Sequence, residues 1–76
     1  MEGLTVGRMV HYVSYGTPGG EYQSLHRAAV VTQVEDVEQG LVSLCVLNPM
    51  GMLFIVHCVY CDDTTMPGTW HWIERA

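Results

Sequence analysis

Lysine is missing from this 76-residue chain, and charge of either sign is scarce. The only cations are Arg8, Arg27 and Arg75, set against eight acidic residues for a net charge of −5. A duplex-binding protein neutralises phosphates with many cations, so that class is excluded, and a polybasic membrane-surface role fails for the same reason. No long apolar run exists: Met50 to Tyr60 is broken by Gly51 and His57 and falls far short of the roughly 20 residues a spanning helix needs. Met1-Glu2-Gly3-Leu4 has neither the basic start nor the apolar stretch of a secretion signal, so the expected location is the cytoplasm. There the three cysteines would be reduced thiols.

What the chain has instead is apolar surface. Hydrophobic residues make up 49% of it and charged residues 14%, where an average domain carries about 25% charged. One domain spanning 1–76 is all this length permits, and a domain so small buries only about 60–65% of its unfolded surface. Such a body has apolar area left over after folding, which predicts contact between copies or with a ligand.

The periodicity is that of short strands. Val6 to Tyr15 alternates and is rich in β-branched and aromatic residues, and Gly16-Thr17-Pro18-Gly19-Gly20 ends it with a dense turn signal. Arg27 to Val34, Leu41 to Leu47, Met52 to Tyr60 and Thr69 to Ile73 are the further strands, with the acidic Glu35 to Gly40 as a hairpin connection. A helix over Glu21 to Val34 competes through the spacing of Leu25, Ala28 and Ala29, but Val30, Val31 and Thr32 are stiff at χ1 and oppose it. Five short strands punctuated by Gly and Pro predict an all-β fold, a small five-stranded SH3-like barrel. In the third strand Val42, Leu44 and Val46 form one alternating set and Leu41, Cys45 and Leu47 the other. A barrel wall buries one set only, so covering the second calls for a homo-oligomer.

Four groupings could carry chemistry. His57, Cys58 and Cys61, with Cys45 upstream, have ligand types suited to zinc, but one C-x-x-C pair does not close a four-ligand site. No metal and no cofactor is therefore expected. Ser14, Ser24 and Ser43 coexist with His11, His26, His57 and His71, yet no nucleophile-elbow motif positions a triad, and no enzyme is expected. Thr17-Pro18-Gly19-Gly20 lacks the lysine of a phosphate loop and reads as a tight turn, or as a flap whose amides approach a phosphate.

The fourth grouping is aromatic. Trp70, His71 and Trp72 on a strand put both indoles on one face and the imidazole on the other. Meeting of the first and last strands would add Tyr12 and Tyr15, with Tyr22 nearby in sequence. Such rings either pack in a core or stack on a base at about 1–3 kcal/mol each, with Arg8 and Arg27 to meet phosphate and Asn48 and Thr69 to read polar edges.

The segments VGRMVHYVSYGTPGGEY, RAAVVTQV, LCVLNPMG and PGTWHWIER, in that order, resemble a family of short proteins common in bacteriophages and actinobacteria. Ile73 stands where that family usually has proline, and HCVYC where it often has V-P-Y-D. The resemblance implies a compact SH3-like fold and a phage origin. Small oligomeric phage proteins include nucleotide sponges, which capture cyclic or ADP-ribose-derived signals of bacterial defence. By analogy, the expected partners are further copies of the chain and a small nucleotide-type ligand, with a protein–protein adaptor or minor virion component as the alternative.

Overall fold

The computed structural model describes residues 1–15 and 25–74. The glycine-rich turn at 16–20, with Tyr22, Ser24 and Arg75, lies outside the described residues.

Five strands form a single antiparallel sheet: β1 (Met9–Val13), β2 (His26–Asp36), β3 (Leu41–Asn48), β4 (Gly51–Cys58) and β5 (Trp70–His71). Their order across the sheet is β4-β3-β2-β1-β5. Where a helix competed, His26 to Asp36 is strand, as the stiff Val30-Val31-Thr32 run requires. No helix in the described residues is long and apolar enough to cross a membrane.

The expected barrel is corrected: the sheet is open. β4 and β5 do not pair, and the gap is crossed by one isolated parallel bridge between Tyr60 and Trp70. β2 bends through register shifts at Val31/Gln33 and Val34/Asp36, and β3–β4 shifts between Val42 and Leu44. Such bulges curl the sheet enough to bring the segment after β4 beside β5 without completing a ladder. Beside that last shift His57 takes a left-handed φ of 56°, and Glu35 holds it: the His57 amide donates to Oε2 at 3.1 Å, while Nδ1 lies 2.7 Å from Oε1.

The core lies on the concave face. Val10, Tyr12, Ala29, Val31, Val42, Leu44, Val46, Cys58 and Trp70 are buried there, with Leu4 closing one end. Trp70 is its anchor: wholly buried, with its indole N–H donating to the Gly40 carbonyl at 2.7 Å. The same carbonyl accepts the Tyr60 amide at 3.1 Å. Gly40 has φ +70°, and a Cβ there would stand 2.6 Å from that of Tyr60, so the turn after β2 admits only glycine comfortably.

The convex face is divided. Registers place Met9, Val30, Cys45 and Phe54 in one row across β1 to β4, and Ala28, Leu47 and Met52 in the next. Phe54 is 71% exposed and Met52 65%, and nothing among the described residues covers them. Toward β5 the same face carries His11, His26 and His71 instead, with Glu74 beyond β5 against all three rings and the Thr64 carbonyl of the β4–β5 connection against His26.

Candidate functional site

The aromatic and arginine residues expected to bind a ligand largely share the concave side. β1 pairs with β5 as anticipated, Tyr12 opposite Trp70, and Arg27 lies opposite Tyr12 on β2. Trp70 meets Trp72 edge to face at 5.1 Å between centroids, and the Arg8 guanidinium lies 5.1 Å from the Trp72 ring centre. Trp72 is half-buried and Arg8 exposed, so these two present a stacked, cationic surface. Trp70 and Tyr12 belong to the core, and burial raises the Tyr12 phenol above its ordinary range. Thr69 is buried and donates its hydroxyl to the Met66 carbonyl. Tyr15 is exposed beside Gly68, and Asn48 sits at the β3–β4 turn, two strands away from β1. The described residues thus bring Arg8 and Trp72 into contact, seal Trp70 and Tyr12 inside, and leave Asn48 apart. They enclose no cavity.

The cysteines do not assemble. All three are free thiols; Cys58 is buried with its thiol near the Gly68 carbonyl at 3.5 Å, and burial pushes its pKa up to about 11. His57 is engaged by Glu35.

A different set of ligand types does converge, on the convex face where β5 meets β1. His11 on β1 and His71 on β5 are directly paired, and His26 opens β2 one step along the same face. Glu74, three residues beyond His71, turns back onto all three rings. Its Oε2 lies 3.2 Å from His11 Nδ1 and 3.1 Å from His26 Nδ1, and its Oε1 contacts His71 Nε2. Ring centroids are 4.7 to 5.8 Å apart. Outside the cluster, His26 Nε2 lies 2.7 Å from the Thr64 carbonyl oxygen.

The electrostatics follow this crowding. Burial holds His71 below its ordinary pKa despite the carboxylate, and the neighbouring rings of His26 and His11 push the same way. For Glu74 partial burial works upward, but hydrogen bonds from His11 and His26 and the nearby His71 and His26 charges prevail and lower it. Among the described residues this is the one gathering of three or more potential metal ligands, its four ligand atoms all within 4.8 Å of one another.

Sequence reasoning counted these histidines only as scattered candidates for a triad and passed over Glu74. His11 and His71 are sixty residues apart, and only the β1–β5 register joins them. The available signal was parity: His71 opposite in face to both tryptophans, on a strand expected to meet the one bearing His11.

Comparison with family models, with curated proteins and with solved structures gives no match to this chain.

Proposed function

We propose that the chain is a non-enzymatic binding protein that works as an assembly of its own copies and sequesters a small nucleotide-type signal, as phage sponge proteins do. The observation that carries this reading is the apolar half of the convex face, which no described residue covers. Met9, Val30, Cys45 and Phe54 form a row ending on an edge strand, and Gly51 to Val56 holds no charged residue. Edge strands are ordinarily blunted by lysine, proline or a covering element. A stable interface buries about 800 Å² per partner, roughly a sixth of the 5104 Å² this chain exposes. The occupant best suited to this face is a second copy, because two charge-free faces meet without bringing carboxylates together in a chain of net charge −5. With no cavity within the described residues, a small ligand would be held on the surface or between copies. The Arg8–Trp72 pair supplies a ring to stack on a base and a guanidinium for phosphate.

Native mass spectrometry tests the assembly: the wild type is expected as a dimer or larger, and Phe54→Glu as a folded monomer. A wild-type monomer at high concentration removes the reading. Calorimetry with cyclic dinucleotides and ADP-ribose isomers tests the ligand class, with heat expected from the wild type and lost in Trp72→Ala. No heat from folded protein discards a nucleotide ligand.

The open β4 edge also favours a second reading, an adaptor that accepts a partner's strand. In that case Phe54→Glu abolishes a protein pull-down while nucleotides have no effect.

A further inference from the structure

We propose that His11, His26, His71 and Glu74 form a structural zinc site that staples β5 and the segment beyond it to the rest of the sheet.

The first argument is hydrogen-bond accounting at His26. Its Nε2 lies 2.7 Å from the Thr64 carbonyl oxygen, which can only accept, so Nε2 carries the hydrogen. In the neutral ring Nδ1 is then a bare lone pair, and it faces a Glu74 carboxylate oxygen at 3.1 Å. Two lone pairs do not face each other without a positive centre between them, either a proton that turns the ring into an imidazolium or a metal ion. A carbonyl that fixes the far nitrogen while the near one points into a shared centre is the outer-shell arrangement of metal-bound histidine. His11 and His71 aim one nitrogen each at the same carboxylate. Protonating all three would crowd three positive rings, with centroids 4.7 to 5.8 Å apart, around a single carboxylate, whereas one divalent cation serves all three neutral rings at once.

The second argument is distance. Tetrahedral zinc with Zn–N near 2.0–2.1 Å sets its ligand atoms about 3.4 Å apart. Glu74 Oε2 stands 3.2 Å from His11 Nδ1 and 3.1 Å from His26 Nδ1, close to that spacing, and all four ligand atoms lie within 4.8 Å of one another, so small side-chain shifts bring them onto one ion. Three imidazoles and a carboxylate suit zinc rather than magnesium or calcium, which take oxygen ligands. Four protein ligands close the coordination sphere, which marks a structural rather than a catalytic ion.

The third argument is need. β5 is two residues long and its ladder with β1 has two residue pairs, extended ahead of it by the Val13–Thr69 and Gly68–Val13 backbone bonds, so the segment after His71 is what a staple would hold. No disulfide helps, since all three cysteines are free. Domains of this size commonly require a staple, and these ligands tie β1, β2, β5 and the following segment at one point.

The test uses the untagged full chain, purified from zinc-supplemented cells and analysed by elemental mass spectrometry. About one zinc per chain is expected, retained in Cys58→Ser/Cys61→Ser and lost in His26→Gln, whose half-exposed ring leaves the core untouched. Apo protein reloaded with cobalt(II) is expected to show the visible bands of four-coordinate cobalt without thiolate charge transfer. Zinc at a hundredfold above its Kd is expected to raise the Tm of the apo wild type by about 10–20 °C, and that of His26→Gln by far less. The proposal is overturned by a wild type that takes up neither zinc nor cobalt, by an unmoved Tm, or by metal that follows the cysteines. Should His26→Gln not fold, the cobalt spectrum and stoichiometry of the wild type decide alone.

Discussion

At one edge of the sheet, β5 contributes two residues, both buried, with β1 on one side and the Val59–Cys61 segment on the other. At the opposite edge, β4 runs eight residues, and most of its side chains stand exposed. Both edges are apolar in sequence, and neither carries the lysines that commonly protect an edge. They differ in what reaches them. Amides and carbonyls of Val59, Cys61 and Trp70 pair across the β5 side at 3.0 and 3.2 Å, whereas no described backbone segment lies along the outer side of β4. Among the described residues one edge is therefore finished by the chain's own backbone, and the other is not.

Paired substitutions break this comparison most directly. Trp70→Ala removes the largest buried side chain and the donor to the Gly40 carbonyl, and is expected to cost about 3–5 kcal/mol in urea unfolding. For a domain of this length that is much of the total, about 4–11 kcal/mol. Phe54→Ala, at concentrations too low for association, is expected to cost under about 0.5 kcal/mol because its ring is already in water. Equal losses at the two positions would mean that β4 is as finished as β5. Gly40→Ala follows in size. It forces a left-handed φ on alanine and drives a Cβ toward Tyr60, at an expected cost of about 2–4 kcal/mol. A Gly40→Ala protein as stable as the wild type would show that the β5 side tolerates loosening.

The alternation of Val42, Leu44 and Val46 on β3 was legible, and these three residues are buried while Cys45 and Leu47 stay partly or largely exposed, as period-two patterning requires. The β1–β5 meeting was legible too, and with it the opposite faces of Trp70 and His71. Closure was not, because bulges set curvature, and a bulge such as the one that places Val42 opposite Cys58 leaves no mark in hydrophobic alternation. Burial of Trp70 against half-burial of Trp72 depends on where a two-residue strand ends. The histidine cluster required a register between strands sixty residues apart and a glutamate beyond the last of them, and local sequence pattern specifies neither.

The cysteines give the finest probe of the two edges, since each samples a different environment. Cys58 lies where β4 enters the core, and burial raises its pKa from 9.0 to about 11. Only the thiolate is alkylated, so a two-unit rise lowers the reactive fraction at pH 8 about 100-fold below that of an unperturbed thiol. Iodoacetamide is thus expected to label Cys58 last, with a rate that climbs about tenfold per pH unit until the protein itself fails. The raised pKa means that the folded state holds this proton more tightly than the unfolded one. The associated stability is complete below pH 9 and is lost as pH rises through about 11. Cys45 sits mid-row on the convex face, partly exposed in a single chain. If copies meet there, its labelling slows as protein concentration rises, and Phe54→Glu restores the fast rate while Cys58 stays slow. A Cys45 rate independent of concentration would leave the β4 half of the convex face open to solvent, with no second copy to finish it.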